Sequence, residues 1–452
     1  MCGIIGIFGN KEAPKLAVLG LFAEQHRGQE SCGLAVTDGK NVRIRKKMGL
    51  VKQVFYPEKM KQFKGEIAIG HVRYPTRGSS DVYNSQPHLV ETFAGSSYIL
   101  ASNGDLINYD EKRQELEECG VYFNSSNDGE LLLKFLVFQI EKKNKTIIEA
   151  IKILMKEIKG AFSTTFTNGR EMYCFRDPHA FRPMIYCELT DGAFAVASES
   201  CALDILKPKW QKEVKPAEIL VVSKNGITSI QNNPKDFRDV NSEKHCIFEH
   251  IYFSRPDSFI FDENVYQVRE KIGAMLAIDD EVSLDVVVPV PDSANFIALG
   301  YAKQKKIPFE MGLIRNHYVG RTFIKPEQTV RDESVSQKFN VLPNFFNDKN
   351  VVLIDDSIVR GTTLRKIVRL IKDAGAKSVH LRIGSPPVRF SCFYGIDTPT
   401  RNELIANEKD IAEIKKYIGA DSLKYISKEK LSQTVFNPQN FCYACFDGKY
   451  PI

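Results

Sequence analysis

The chain changes its structural grammar once, and that change limits it to folds made of two unlike parts. Up to Gln231 it is strand-rich. Glu66–His71, Tyr98–Ser102, Gly160–Phe166 and Gly192–Ser198 are short apolar runs bounded by Gly, Asn, Asp or Ser. Helical spacing interrupts them near Asp128–Glu141 and Thr146–Lys159. Ile219–Ile230 places an Asn225-Gly226 turn between two strand-like runs, the pattern of a hairpin. A polar stretch, Gln231–Lys244, contains Asn232-Asn233-Pro234 and marks the boundary. Beyond it strands and helices alternate. Asp285–Val290 and Lys349–Ile354 read as buried parallel strands. Leu364, Ile367, Val368 and Ile371 recur at helical spacing, Gly375 stands where a C-terminal cap is expected, and a strand follows at Ser378–Ile383. This βαβ unit predicts a mostly parallel sheet. The expected domains are an α+β domain over residues 2–231 and an α/β domain over residues 245–452.

Charge and hydropathy exclude several classes. With 62 basic and 56 acidic side chains the net charge is +6, too small and too scattered for a nucleic-acid binder. The densest basic cluster, Arg43, Arg45, Lys46 and Lys47, reads as one face of an exposed strand. No apolar run approaches the roughly 18 residues of a membrane span. The start lacks the basic and apolar regions of a secretion signal. A cytoplasmic location is therefore expected, with neither nucleic acid nor membrane as partner. There, the ten cysteines are catalytic, metal-binding or buried rather than disulfide-bonded.

The sharpest motif is Val351-Val352-Leu353-Ile354-Asp355-Asp356-Ser357-Ile358-Val359-Arg360-Gly361-Thr362-Thr363-Leu364. A strand delivers two adjacent carboxylates at its C-terminal end, where open α/β sheets bind ligands. A short loop then enters a helix, whose free N–H groups and positive dipole end suit a phosphate. Gly361 admits close backbone approach, and Thr362 and Thr363 add hydroxyl donors. A capping loop with a chance acid pair is the alternative; the ordered succession of strand, acids, loop and helix argues against it. The stretch from Val352 resembles the phosphoribosyl pyrophosphate (PRPP) motif of phosphoribosyltransferases. The resemblance implies that Asp355 and Asp356 hold ribose hydroxyls and that Gly361, Thr362 and Thr363 hold the 5′-phosphate. Val286–Ser293 is a strand running into a tight loop; by the same resemblance it cradles pyrophosphate. The resemblance also implies one Mg²⁺ per subunit at Ser293, Asp355 and Asp356, an ion expected on physical grounds too because it neutralises the departing pyrophosphate.

At the opposite end, the chain begins Met1-Cys2-Gly3-Ile4-Ile5-Gly6-Ile7-Phe8-Gly9. With Met1 removed, Cys2 joins a thiol nucleophile to an α-amino base, a group that ordinarily titrates at about 7.7–8.0. The bland alternative is a small residue after an initiator Met. The apolar run Gly3–Phe8 reads as a buried strand that fixes the nucleophile at its end. His71-Val72-Arg73-Tyr74-Pro75-Thr76 offers Arg73, whose fork matches a carboxylate. Ser102-Asn103-Gly104-Asp105 offers the Asn103 amide and the Gly104 N–H, donor types of an oxyanion hole. Asn127-Asp128-Gly129-Glu130 offers Asp128 for an ammonium group. Taken singly, these read as a surface ion pair, a turn and an N-cap.

Together these segments resemble the N-terminal-nucleophile glutamine amidotransferases, and among them the glutamine PRPP amidotransferase family in its iron–sulfur-containing branch. The resemblance runs almost end to end. It includes His26-Arg27-Gly28-Gln29-Glu30-Ser31, Phe248–Ser258 and Tyr318–Ile324. It implies an αββα glutaminase sandwich followed by a type I phosphoribosyltransferase domain. Cys2 is then the nucleophile, Arg73 and Asp128 hold glutamine, Asn103 and Gly104 stabilise the oxyanion, and Arg321 binds PRPP in a lid with Gly320 as its flexible point. Two positions depart from the pattern: Ala180 and Ala294 stand where relatives usually carry Gly.

Cys442-Tyr443-Ala444-Cys445 is a C-x-x-C, which with Cys246 and Cys392 supplies four soft ligands for zinc or an iron–sulfur cluster. Spacing leaves the two open; the family resemblance implies one [4Fe–4S] per subunit on Cys246, Cys392, Cys442 and Cys445. Cys32, Cys119, Cys174, Cys187 and Cys201 are expected to be buried small hydrophobes. The activity implied is transfer of ammonia from glutamine to PRPP, giving 5-phospho-β-D-ribosylamine, glutamate and pyrophosphate, at the entry to purine synthesis. A homotetramer inhibited by purine nucleotides is implied with it. The alternatives are a PRPP-sensing regulator that has lost turnover, or a glutamine amidotransferase with another acceptor.

Overall fold

The computed structural model describes residues 1–75, 77–237, 243–318 and 338–452. In its first part, two antiparallel sheets face each other. One has seven strands in the spatial order Pro208–Glu213, Ile185–Leu189, Phe194–Ala197, Gly3–Phe8, Ile67–Arg73, Ser31–Thr37 and Val42–Met48. The other has six: Gly226–Gln231, Glu218–Ser223, Met172–Arg176, Gly160–Thr167, Ser97–Leu106 and His88–Glu91. Side chains alternate across a strand. Ile4 and Phe8 therefore enter the core between the sheets with Ile99, Met172 and Leu220, whereas Ile5 and Ile7 face the helix Ala13–Ala23. On the far side, Asp128–Val137 and Ile147–Glu157 cover the six-stranded sheet through Leu132, Leu136, Ile151 and Leu154. The result is the αββα sandwich. The basic cluster lies on Val42–Met48, an edge strand that its charges protect from pairing with another chain.

The second part holds four parallel strands in the order Val286–Pro289, Asn350–Asp355, Ser378–Ile383 and Ser422–Tyr425. The helix Thr362–Asp373 returns the chain between the middle pair, burying Leu364, Ile367, Val368 and Ile371, with Gly375 at φ 93° just beyond its end. The C-terminal segment folds back onto the junction of the two parts. There Phe441–Cys442 pairs in parallel with His245–Cys246.

One sequence expectation fails on burial. Cys119 is exposed, because it caps the C-terminal end of Tyr109–Glu118 just before Gly120 turns the chain away. The other four of that group are buried. Among the described residues, no helix is long and apolar enough to cross a membrane.

Candidate functional sites

Cys2 lies 5% exposed at the mouth of the strand Gly3–Phe8. Its backbone N–H donates to Asn103 Oδ1 at 3.0 Å, its thiol points to the Tyr74 carbonyl at 3.5 Å, and its carbonyl accepts from Arg27 Nε at 2.9 Å. Burial pushes the thiol pKa up, only partly offset by the nearby N-terminal amine, the Tyr74 contact and Arg73. That amine belongs to Met1, which is wholly buried and lowered to about 5 by desolvation. With Met1 attached, the nitrogen of Cys2 is an amide and cannot act as the base that the sequence reading requires of it.

Asn103 spends Oδ1 on Cys2 and keeps a buried Nδ2 without a partner. An unpaired donor beside a nucleophile is what a developing oxyanion needs. Gly104 is required for a reason the sequence does not reveal. A Cβ there would stand 1.8 Å from the Ala161 carbonyl of the neighbouring strand. A loop of the second part also packs on its backbone through Gly395.

Arg73 ends the strand Ile67–Arg73 and is 1% exposed. Nη1 donates to Glu30 at 2.7 Å and to the Ser79 carbonyl at 3.1 Å; Nη2 donates to the Arg77 carbonyl at 2.7 Å. Its fork thus holds its own loop. Asp128 is not the N-cap of its helix: Asn127 takes that role, accepting from the Gly129 N–H at 3.0 Å. Asp128 is left as a buried carboxyl, pushed up to about 7 by desolvation and by Asp105, with Arg77 and Arg73 opposing. Arg73 and Asp128 both act electrostatically on the Cys2 thiol, so the fold gathers all three.

Sequence reasoning missed members of this group. Arg77 donates to Asp105 at 2.9 Å and to the Leu106 carbonyl at 3.1 Å, and lies 4.8 Å from the Tyr109 ring. Asp105 was legible in principle, since it stands two residues after Asn103 on the same strand face. His71, two residues before Arg73, is held neutral by burial. Arg27 was also missed. Besides Cys2 it grips Glu249 with both terminal nitrogens, at 3.1 and 2.9 Å, and pairs with Glu199. Glu249 belongs to the second part, so this buried pair crosses the junction. Beside it, the Phe253 ring meets Tyr74 edge-on at 6.1 Å.

In the second part, Asp355 ends its strand and accepts from the Asp356 N–H at 2.9 Å, while Ser357 donates to Asp356 at 2.6 Å. Burial and mutual repulsion raise Asp355 well above the usual carboxylate range. Asp356 is also raised, mainly by burial, despite Ser293, Ser357 and Arg269. A buried and a partly buried carboxyl that repel each other are a fitting pair for Mg²⁺, which takes one or two carboxylates beside substrate phosphates and water. Gly361 is the N-cap of the following helix at φ 74°, a left-handed conformation that favours glycine, and Thr362 and Thr363 are exposed. Asp292 of the 286–293 loop pairs with Arg315 at 2.6 Å, a contact the sequence did not suggest. Arg321, Gly320 and the rest of the lid beyond Tyr318 lie outside the described residues.

The four candidate ligand cysteines come from three chain segments. Cys246 and Cys442 are register partners in the parallel bridge. Cys246, Cys392 and Cys442 all raise the pKa of Cys445, which burial has already pushed up. Among the described residues, no three His, Cys, Asp or Glu side chains close on a single metal ion. Cys392 and Cys442 pack on the same small apolar cluster, with Phe181 and Tyr394.

Comparison with known proteins follows the same division. A glutamine amidotransferase domain family matches residues 79–204, and a phosphoribosyl transferase domain family matches residues 264–383. The chain is 45% identical to the chloroplastic amidophosphoribosyltransferase 2 of Arabidopsis thaliana, over 100% of this chain and 79% of that protein. It is 42% identical to the amidophosphoribosyltransferase of Bacillus subtilis, over 100% of this chain and 94% of that one. Among solved structures it resembles the B. subtilis glutamine PRPP amidotransferase complexed with ADP and GMP, with a TM-score of 0.90 at 41% identity, covering 100% of this chain and 97% of that one.

Proposed function

The chain belongs to the amidophosphoribosyltransferase family, and from that premise we propose how its residues divide the reaction. The enzyme is a glutamine amidotransferase acting at the first step of purine biosynthesis. In the first domain, over residues 2–231, Arg73 and Asp128 hold the carboxylate and ammonium of glutamine. The substrate carboxylate takes the place on Arg73 now filled by loop carbonyls. Once Met1 has been removed, the Cys2 amine accepts the thiol proton and the thiolate attacks the side-chain amide. Asn103 Nδ2 and the Gly104 N–H stabilise the oxyanion, ammonia leaves, and water releases glutamate from the thioester.

In the second domain, over residues 245–452, Asp355 and Asp356 orient the ribose while Gly361, Thr362 and Thr363 hold the 5′-phosphate. Arg321 adds a further contact to PRPP. Ammonia attacks C1 and displaces pyrophosphate, giving 5-phospho-β-D-ribosylamine. Mg²⁺, held by Ser293, Asp355 and Asp356, would supply charge neutralisation for that leaving group. Ammonia must pass between the two sites without meeting water, where it would be protonated and lose its nucleophilicity.

Cys246, Cys392, Cys442 and Cys445 would hold a [4Fe–4S] cluster that ties the C-terminal tail to the junction. A homotetramer and feedback by purine nucleotides are proposed on the footing of resemblance; the B. subtilis relative was solved with ADP and GMP. Cytoplasmic residence accords with ten free cysteines.

The observation that carries this reading is the unpartnered Asn103 amide beside Cys2, in a chain that also carries the Asp355–Thr363 loop. Cys2→Ala should abolish glutamine-dependent ribosylamine formation and leave the ammonia-dependent reaction intact. Loss of both would refute the two-site division. Absence of turnover with either nitrogen source in the wild type would favour a PRPP-sensing regulator instead.

A further inference from the structure

Arg73 meets its substrate with the fork already filled. Nη1 is anchored on the buried Glu30 at 2.7 Å, whereas Nη2 donates to the carbonyls of Arg77 at 2.7 Å and Gly78 at 3.4 Å. Those carbonyls are held from two sides. On one side the Arg77 side chain crosses to the strand Ser97–Leu106. Its Nε donates to Asp105 Oδ1 at 2.9 Å, its Nη2 donates to the Leu106 carbonyl at 3.1 Å, and the guanidinium lies 4.8 Å from the Tyr109 ring. Tyr109 is buried, and Arg113 fixes it by donating to its hydroxyl at 2.8 Å. On the other side Asn84 Nδ2 donates to the Ser79 carbonyl at 3.0 Å, while Asn84 Oδ1 accepts from the Ser126 N–H at 3.0 Å. The Arg77–Asp105 pair is partly buried.

Arg77 thus imitates a free amino acid. Its carbonyl oxygen lies on Arg73, where the glutamine carboxylate is to bind. Its cation acts on Asp128, where the glutamine ammonium is to bind. We propose that Arg77, pinned by Asp105, is a self-occluding latch on the glutamine pocket: its backbone carbonyl competes with the substrate carboxylate for Arg73, and glutamine binds once the Arg77–Asp105 pair has parted. This inference rests on the assignment of Arg73 and Asp128 to glutamine above. A ligand binds the fraction of molecules in the competent state, so its apparent dissociation constant rises as that fraction falls. Arg77 is a positioning residue, because it sets substrate affinity through Arg73 and takes no part in the attack by Cys2.

The test uses the full-length chain with Met1 removed, as wild type, Arg77→Met, Asp105→Asn, the double variant and Arg77→Lys. KM and kcat are read for glutamate release from glutamine at saturating PRPP. Arg77→Met and Asp105→Asn should each lower KM for glutamine about 5-fold at constant kcat, the equivalent of about 1 kcal/mol for a partly exposed ion pair. A merely structural role would raise KM or lower kcat. The double variant should lower KM no further than either single change, since both remove the same contact. Arg77→Lys keeps a cation for Asp105 and should stay near wild type. Should the Met variant fail to accumulate, Asp105→Asn carries the same expected sign. A raised or unchanged KM in an active Arg77→Met or Asp105→Asn enzyme would overturn the proposal alone. So would additive effects in the double variant, the mark of Asp105 acting through Asp128 rather than through Arg77. A wild type that releases no glutamate from glutamine would overturn the glutaminase reading, and this proposal with it.

Discussion

Ala180 is wholly buried at φ 51°, in the left-handed region that an L side chain adopts at a cost. Its carbonyl accepts from Arg176 Nη2 at 2.8 Å and from His245 Nδ1 at 2.9 Å, which hold the strained turn in place. Ala180→Gly should raise stability by about 1 kcal/mol, read as a higher midpoint of thermal unfolding. The other departure from the family pattern carries no such strain, because Ala294 has an ordinary φ of −89°. Asp128 yields a pH prediction. Its folded pKa, about 7, lies above the ordinary aspartate value of 3.8. The folded chain therefore binds the extra proton between those values, and the cost of keeping this carboxyl buried grows as pH rises across that window. Asp128→Asn should gain stability over wild type as pH climbs to 7, with the difference level above it. In the wild type, KM for glutamine should rise as pH falls below about 7, since a neutral carboxyl attracts the substrate ammonium poorly. Flat KM between pH 6 and 8 would remove Asp128 from that role.

At the scale of elements, most boundaries were readable from local chemistry. Thr146 caps Ile147–Glu157 in a reciprocal box with Glu149, far from both sites in sequence and exposed. Thr146→Ala should lower stability by about 1 kcal/mol and leave ribosylamine formation unchanged. The hairpin around Asn225-Gly226 formed as its turn residues require, with Gly226 at φ 111°. The helix read as Asp128–Glu141 instead ends as α-helix at Val137 and widens into a π-helical turn over Phe138–Lys142. The π-helical stretch is a single five-residue turn, too short for its wider repeat to register in the apolar spacing. The strand read as Tyr98–Ser102 extends to Leu106, carrying Asn103 and Asp105 into the sheet. Polar residues hid that extension, because they serve the site rather than the core.

For the whole molecule, the decisive contacts cross the junction. Glu249 holds Arg27 and borders Arg182, and all three side chains are fully buried. Arg269, also buried, donates to the His250 carbonyl and the Ser254 carbonyl, both at 2.7 Å, and faces Asp356 of the acid pair. The turn that bears Glu249 is thus pinned from both domains. Glu249→Ala leaves buried cations uncompensated and should cost about 3–5 kcal/mol in denaturant unfolding of the full chain. Loss of less than about 1 kcal/mol, the range of an exposed ion pair, would mean that the junction is held by its apolar contacts alone.

Sequence alone determined what depends on neighbours along the chain: two unlike domains, the strand behind Cys2, and the acid pair running through a short loop into a helix. Such features arise from side-chain periodicity, turn chemistry and helix ends, each written within a few consecutive residues. Tertiary structure decided what depends on residues far apart. It made Asn127 rather than Asp128 the cap, leaving a buried carboxyl with a raised pKa. It brought Arg77 to Asp105, set Gly104 against the Ala161 carbonyl, and buried Arg27 against Glu249, which lies 222 residues further along. The energy of a buried charge is set by what surrounds it in space, and linear order does not record that.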